Sequence, residues 1–421
     1  MHRPATASPA TAGRPQGQPS AGAPAGARSD TEPSPAGERR GLSDRGLALV
    51  TALLALPLVW LGYGTDIDIA AVRETGELIR SGDYAPSRNP GVPVFETVVA
   101  ALDPIGHVAI NLATAGALVA SVLAVARLVR TSGHPHGDLV ALAFLVSPMA
   151  LVAGTSTVDF VWALALALWA VVALWHDRSV LAGVLFALGI GSRSSTALLA
   201  AAVLIADAWV PAHRRRALVA GVVALPLAAT LYVPAWLSFD RTLEFLSHDE
   251  GYRGFANNLG RFAYKNVSFA GIALIVAVAL LLPALVRSLR RWRTDGLVRA
   301  AVLALVATEA LFFVVPWKVG HLLPSLAALL LWIGATDRRR PVLWLLVGAV
   351  ALNGLVAFRA LRPDRPDEST GATVDPAVAA GWLVNDIRCR VEFMDEEPAT
   401  ESGAWSCHLE PMRGEVDEPG G

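Results

Sequence analysis

The chain has 421 residues, of which 54% are hydrophobic and 17% are charged, and its mean hydropathy is +0.48. Such a composition excludes an ordinary soluble domain, and no nucleic-acid partner is expected. Runs of about 20 apolar residues, the length of a helix that crosses a bilayer, are therefore the first signal to follow along the chain.

Residues 1–44 differ from the rest of the chain. They are rich in Pro, Ala, Gly and Ser and have almost no bulky apolar side chain. Such a segment cannot bury enough surface to offset its ordering entropy, so we expect a disordered cytoplasmic tail. The apolar run that follows starts too late for a cleaved signal peptide, and we expect it to act as an uncleaved signal anchor.

Apolar segments then recur through residues 45–361 and predict an all-α polytopic membrane domain with about eleven transmembrane helices. They lie at 45–61, 106–127, 138–154, 157–175, 179–192, 195–211, 217–238, 266–286, 298–316, 319–335 and 341–358. The segments 179–192 and 195–211 are shorter than a full crossing and could form a hairpin of half-depth helices around "GIGSRSS".

Arginines set the predicted orientation. With an odd number of spans, all the clusters between spans fall on one side of the membrane: Arg39, Arg40 and Arg45, then Arg127 and Arg130, Arg178, Arg214 to Arg216, Arg287 to Arg293, and Arg338 to Arg340. The positive-inside bias then predicts a multi-pass protein of the cell membrane with a cytoplasmic N-terminus and an outer tail at 362–421.

Both cysteines of the chain, Cys389 and Cys407, lie in this tail. An oxidising outer compartment permits a disulfide between them, which would close a loop of about 18 residues and stabilise it by roughly 3 kcal/mol. Two free thiols are the alternative.

Two aspartates, Asp66 and Asp68, follow the first span directly. The apolar spacing from Asp66 to Arg80 predicts an amphipathic helix on the membrane surface. Asp66 alone could cap this helix, but one cap does not explain both carboxylates, because residues two apart on a helix point in different directions. A second carboxylate near lipid is costly to desolvate and therefore indicates function.

The stretch "YGTDIDIAAVRETGELIRSGDY" resembles the first outer loop of the GT-C glycosyltransferases, membrane enzymes that use polyprenyl- or dolichyl-phosphate-linked sugars. It is most similar to the D-x-D-bearing loop of the mannosyltransferase that starts the GPI anchor glycan and of bacterial polyprenol-phosphate-mannose enzymes. Looser similarity extends to "SPMALVAGTSTVDFVWALALALW", "LAGVLFALGIGSRSSTALL" and "WKVGHLLPSLAALLL". The resemblance implies a GT-C-like fold, a polyprenyl-phosphate-linked sugar as donor, with mannose as the expected sugar, and a lipid, glycan or protein acceptor.

It also implies that Asp68 or Asp66 is the base that takes the proton of the acceptor hydroxyl, with Asp68 preferred because Asp66 is the better cap. The leaving lipid phosphate needs fixed cations. The outer candidates for these are Arg193, Lys318, His321, Arg253 and Lys265. Asp159 and Glu96 are the candidates for acceptor binding.

Structural alternatives stay open for three of these residues. Arg193 interrupts an apolar stretch and could pair with Asp159 or reach to the interface. Lys318, one of only two lysines in the chain, could serve as an interface anchor. Asp159 could cap the helix that follows it.

Other chemistry has little support in the sequence, which has no phosphate-binding P-loop, no H-E-x-x-H and no clustered Cys and His. Because a polyprenyl-phosphate donor has no diphosphate to chelate, we expect no metal and no cofactor beyond the donor. Two competing functions remain: a polytopic flippase or transporter of lipid-linked sugars, and a non-catalytic scaffold of envelope assembly. A transporter would carry its charges near the bilayer midplane and show inverted repeats, and neither feature is evident.

Overall fold

A computed structural model describes residues 41–66, 68–242, 254–316, 318–337, 339–363 and 372–392. Residues 1–40 lie outside this description, so the disorder of the N-terminal tail stays a prediction. The candidate Arg253 and the second cysteine, Cys407, also lie outside the described residues.

Helices dominate the described part of the chain. They are α1 (Asp44–Ala55), α2 (Asp68–Ser81), α3 (Pro93–Leu102), α4 (His107–Thr131), α5 (Gly137–Leu145), α6 (Pro148–Gly154), α7 (Phe160–Trp175), α8 (Ser179–Ser192), α9 (Thr196–Ala208), α10 (Arg214–Leu231), α11 (Val233–Ser238), α12 (Phe255–Ser288), α13 (Gly296–Val314), α14 (Leu323–Thr336), α15 (Arg340–Leu355) and α16 (Trp382–Glu392). Every apolar segment predicted from the sequence coincides with one helix or with a consecutive pair. The prediction of a helical, polytopic membrane protein is therefore confirmed.

By length and composition, five of the described helical segments could each cross a membrane: His107–Thr131, Pro211–Ser238, Phe255–Arg291, Gly296–Val314 and Val319–Thr336. The pair α5 and α6 bends by 70° and makes a sixth candidate. Its bend falls just before Pro148, where proline disfavours a continuous helix. Helices α7, α8, α9 and α15 are apolar but shorter, so the count of eleven crossings stays a prediction.

Helices α4, α5 and α7 form the centre of the bundle. Every residue of α5 is buried, and α7 is buried around nearly its whole circumference, as expected for helices that are apolar on all sides. Helices α10 and α12 instead leave large apolar side chains exposed, among them Leu218, Leu225 and Leu280. An apolar outer surface of this kind is suited to lipid and not to water.

The long helix α12 is interrupted at Gly271, whose φ of 70° lies in the left-handed region. The side chain of Asn353 from α15 fills the space beside it, and its Nδ2 donates hydrogen bonds to the carbonyls of Ser268 at 3.3 Å and Phe269 at 2.8 Å. The break is thus satisfied by a polar side chain from a neighbouring helix.

A two-stranded antiparallel hairpin follows α15 and was not predicted from the sequence. Its strands are β1 (Val356–Pro363) and β2 (Ala372–Ala380), with Val356 opposite Ala380 and Arg362 opposite Thr373. Hydropathy extended the last span to residue 358, whereas the helix ends at Leu355. A strand depends on its partner, which a local hydropathy window does not contain.

The last described helix, α16, packs against the bundle and buries Cys389. We expect Cys389 and Cys407 to be disulfide-linked in the native protein, because no other cysteine of the chain competes. Alkylation of the native protein before and after reduction checks this: the thiols should react only after reduction. Labelling of both cysteines without a reductant would contradict the disulfide.

Candidate active site

The two aspartates lie at the beginning of α2, which confirms the predicted helix; its location at the membrane surface stays a prediction. This helix buries one stripe, Ile69, Val72 and Gly76. Asp66 Oδ1 accepts a hydrogen bond from the backbone N–H of Asp68 at 2.9 Å, so Asp66 does cap the helix. The Asp68 carboxylate begins the helix, where the positive end of the helix dipole favours a negative charge.

The loop before Asp66 is pressed against the segment that precedes α7. Gly64 has a φ of 115°, and a Cβ at this position would lie 2.7 Å from the side chain of Ser156. The N–H of Thr157 donates to the carbonyl of Tyr63 at 2.8 Å. This close approach brings the Asp66 loop and Asp159 to the same end of the bundle.

Lys318 bridges the aspartate pair. Its Nζ lies 2.6 Å from Asp66 Oδ1 and 2.8 Å from Asp68 Oδ1, although Lys318 and Asp66 are 252 positions apart. Burial and the nearby Arg88 and Arg193 lower the pKa of Lys318, an effect that Asp66 partly offsets. Lys318 therefore does more than anchor the chain at the interface: it holds both carboxylates.

Arg88, which was not among the predicted site residues, also belongs to this cluster. It forms an ion pair with Asp68, and its Nη2 lies 2.6 Å from Asp159 Oδ2. Burial alone would lower the pKa of Arg88, but the Asp159 carboxylate outweighs it and raises the pKa. The signal available in the sequence was its position in the "SRNPGVPVFE" stretch, next to the aspartate loop.

Glu96 positions the loop that carries Arg88. This carboxylate is fully buried and accepts hydrogen bonds from Tyr84 Oη at 2.6 Å, Ser87 N–H at 2.9 Å and Ser87 Oγ at 2.6 Å. Protein groups thus hold both of its oxygens, and its assignment to acceptor binding stays a prediction.

Asp159 pairs with Arg193, which was the structural alternative considered for Arg193. Asp159 occupies the N-cap position of α7, but its side chain makes no capping hydrogen bond, so the cap predicted for Asp159 is wrong. Arg193 Nη1 lies 2.9 Å from each oxygen of Asp159, and its guanidinium carbon stacks 3.9 Å from the centroid of the Phe160 ring. Burial raises the pKa of the Asp159 carboxyl, but Arg193 and Arg88 outweigh it and hold the pKa below its ordinary value. Burial also lowers the pKa of Arg193 to about 10, which leaves the guanidinium charged at neutral pH.

His321 completes this side of the cluster. Arg193 Nη2 lies 2.6 Å from His321 Nε2, and because arginine can only donate, that ring nitrogen accepts and carries no proton. The Nε of Arg193 is buried and makes no hydrogen bond within the described residues. One donor of this guanidinium is therefore free for a ligand atom.

Lys265 lies at the edge of the cluster. Its Nζ donates to the carbonyl of Pro316 at 2.7 Å, so it supports the link that carries Lys318. The predicted residues that form one connected network are Asp66, Asp68, Lys318, Asp159, Arg193 and His321. Glu96 and Lys265 border it, and Arg253 lies outside the described residues.

The charges of this network balance. Asp66, Asp68 and Asp159 face Lys318, Arg88 and Arg193, and each carboxylate contacts at least one of these cations. Within the described ranges, no group of three or more His, Cys, Asp or Glu is arranged to hold a metal ion. Chemically, the cluster offers carboxylates that can accept a proton and cations that can receive an anion.

A small apolar cavity of about 40 Å³ lies along α7 between α13 and α14. It is lined from Leu164 to Trp175 on α7 and from Pro324 to Leu331 on α14. Leu164 is one helical turn from Phe160, and Pro324 is close in the chain to His321. The cavity therefore approaches the polar cluster from within the bundle.

No protein-family model and no curated protein matches this chain. Two crystal structures of ArnT from Cupriavidus metallidurans share its fold. The structure bound to undecaprenyl phosphate has a TM-score of 0.56 and 17% sequence identity, with 74% of this chain and 64% of ArnT covered. The apo structure has a TM-score of 0.52 and 16% identity, with 71% and 61% covered.

The chain thus spans less than two thirds of the length of ArnT. At this identity the similarity shows the fold, which is the predicted GT-C-like fold. It gives no support to the narrower resemblance to mannosyltransferases.

Proposed function

We propose that the protein is an integral membrane glycosyltransferase that transfers a sugar from a polyprenyl-phosphate carrier. The observation that carries this proposal is the network of Lys318, Arg88 and Arg193 with three aspartates, at one end of an ArnT-like bundle. The undecaprenyl phosphate bound to ArnT supports a lipid phosphate as the carrier.

In the proposed reaction, the acceptor hydroxyl attacks the anomeric carbon while the bond from that carbon to the phosphate oxygen breaks. Asp68 takes the hydroxyl proton, and the lipid phosphate leaves with the bonding electron pair. Asp66 is the less suitable base because its Oδ1 already caps α2. Arg88, Arg193 and Lys318 balance the charge that develops on the leaving phosphate.

The charge balance gives Lys318 a second role. A lipid phosphate adds negative charge to a network that is already neutral, so it competes with Asp66 and Asp68 for the Lys318 ammonium. Once Lys318 and Arg88 both turn towards the phosphate, Asp68 loses the two cations that contact it and can accept a proton. Donor binding would in this way release the base.

The free Nε of Arg193 supports the placement of the phosphate beside this side chain. A phosphate oxygen at that point would also lie near His321 and the Lys318 link. We retain mannose as the proposed sugar because of the resemblance of the first loop.

We also propose that the site faces the outside of the cell. The arginines Arg130 and Arg216 contact Asp44 and Asp177 at the helix ends opposite those that carry the site, in agreement with the positive-inside bias. A reporter fused after Gly421 should be exported, and one fused near Arg216 should stay cytoplasmic. A cytoplasmic C-terminal reporter would contradict this orientation.

The test of the proposed function is transfer of radiolabelled mannose from polyprenyl-phosphate-mannose to membrane acceptors. Membranes from cells with the gene should form a labelled product that is absent without it. A flippase would move the labelled carrier across the membrane without forming a new glycosidic bond, and a scaffold would do neither. Either result would reject the proposal.

A further inference from the structure

The last described helix, α16, contains a buried ion pair. Asp386 and Arg390 have side chains that are 3% and 1% exposed, and Arg390 Nε lies 2.8 Å from Asp386 Oδ2, outside hydrogen-bond geometry. A buried pair is costly to desolvate and persists only where further hydrogen bonds satisfy both groups. The hydrogen-bond partners of Asp386 and Arg390 therefore identify the segments that this pair connects.

Asp386 contacts the loop that carries the aspartate pair. Thr65 Oγ1 donates to Asp386 Oδ1 at 2.8 Å, across 321 positions of the chain, and the contact is buried. Thr65 directly precedes Asp66. A residue near the end of the described chain thus fixes the backbone beside the proposed base.

Arg390 contacts the segment that leads to Asp159. Its Nη1 donates to the carbonyls of Thr155 at 2.9 Å and Leu58 at 3.3 Å, and its Nη2 donates to the carbonyl of Val152 at 3.2 Å and contacts Ser156 Oγ. These carbonyls lie at the end of α6 and in the turn after α1, where helices leave unpaired acceptors and a partial negative charge.

One buried pair therefore joins the two segments that carry the site carboxylates. Thr65 leads into Asp66 and Asp68, and Ser156 leads into Asp159. These segments also contact each other directly, because Thr157 N–H donates to Tyr63 O. Without α16, the hydroxyl of Thr65 and the carbonyls at the end of α6 would lose these partners.

We propose that Asp386 and Arg390 are positioning residues, so that α16, the last described helix, supports the active site. The pair fixes the position of the Asp66 loop relative to the Asp159 segment, so that Asp68 and the Arg88–Asp159–Arg193 network face the same substrate. The proposal rests on the proposed glycosyltransferase function and extends the site to a region that contributes no group to the chemistry.

The test uses the full chain, purified into lipid nanodiscs, with polyprenyl-phosphate-mannose as donor. Thr65→Val and Asp386→Asn should lower kcat by about 10- to 100-fold, the scale expected for a small misplacement of catalytic groups. The KM for the donor should change little, because the cations that receive the phosphate remain. Thr65→Ser, which keeps the hydroxyl, should restore most of the activity.

A matched control is available on the same helix. Arg388 and Glu392 form an exposed ion pair with the same spacing as Asp386 and Arg390, and Glu392→Gln should leave kcat unchanged. If Thr65→Val and Asp386→Asn keep the wild-type kcat per folded molecule, α16 does not position the site.

Hydrogen exchange gives a second readout that does not need activity. In Thr65→Val and Asp386→Asn, exchange should increase in residues 58–66 and 152–159, while the rest of the bundle stays protected. Unchanged exchange in both segments would overturn the proposal even if transfer were slower. If the wild-type protein transfers no sugar, the proposed function fails, and the exchange result alone decides whether α16 holds the two segments.

Discussion

We expect Asp68→Asn to lower sugar transfer by at least about a hundredfold, because the substitution removes the proposed general base. Insertion and abundance should remain close to normal. Asparagine has nearly the size of aspartate, and Asp66 still caps α2 through the N–H of residue 68. The measurement is turnover per folded molecule with donor in excess.

Asp66→Asn provides the comparison within the pair. An amide at this position can still accept the capping hydrogen bond, so the variant loses chiefly the charge that holds Lys318. We expect Asp68→Asn to have the larger effect on kcat. Glu77→Gln is the control, since Glu77 lies on the same helix with a largely exposed side chain. Near wild-type transfer by both asparagine variants would show that neither aspartate is the base.

Arg193→Gln should also lower transfer by about a hundred- to a thousandfold, the usual effect of removing a group that stabilises developing negative charge. The substitution also leaves Asp159 with Arg88 as its remaining cation. Breaking a buried pair typically costs about 3–5 kcal/mol of stability, so the loss of chemistry must be separated from a loss of folding.

The double variant Asp159→Asn with Arg193→Gln makes that separation. Two neutral amides can bond to each other, and the melting temperature should recover while transfer stays low. Arg216→Gln is a matched control, because Arg216 also contacts both carboxylate oxygens of a buried aspartate, Asp207. This pair lies at the opposite end of α8. Arg216→Gln should lower stability without lowering turnover per folded molecule. Recovery of transfer in the double variant would assign Arg193 a purely structural role.

The sequence predicted which residues belong to this site better than it predicted which of them contact each other. The position of Asp66 and Asp68 after the first span, and the rarity of lysine at Lys318, were sufficient to select these residues. Their contact could not be deduced, because it joins positions 252 apart and hydropathy does not specify which helices are neighbours. The fold class could be predicted, because a long apolar segment identifies a helix from its local sequence alone, without knowledge of the neighbouring helices.

The roles of Arg88 and α16 have no clear signal in the sequence. Arg88 is one arginine in a loop with no apolar pattern, and only the buried Asp159 beside it distinguishes it from a solvated side chain. From the sequence, we predict only a short tail closed by a disulfide. The mixed composition of α16 gives no indication that Asp386 and Arg390 are buried against the end of α6 and the segment that follows α1.

The bond between Thr65 and Asp386 also has a consequence for the order in which the protein is made. Synthesis proceeds from the N-terminus at roughly 5–20 residues per second, so Asp386 leaves the ribosome roughly a quarter of a minute to a minute after Thr65, from which it is 321 positions distant. During that interval the earlier helices can insert, but the loop with both aspartates lacks its support. A nascent or prematurely terminated chain would therefore remain inactive towards the lipid carriers around it.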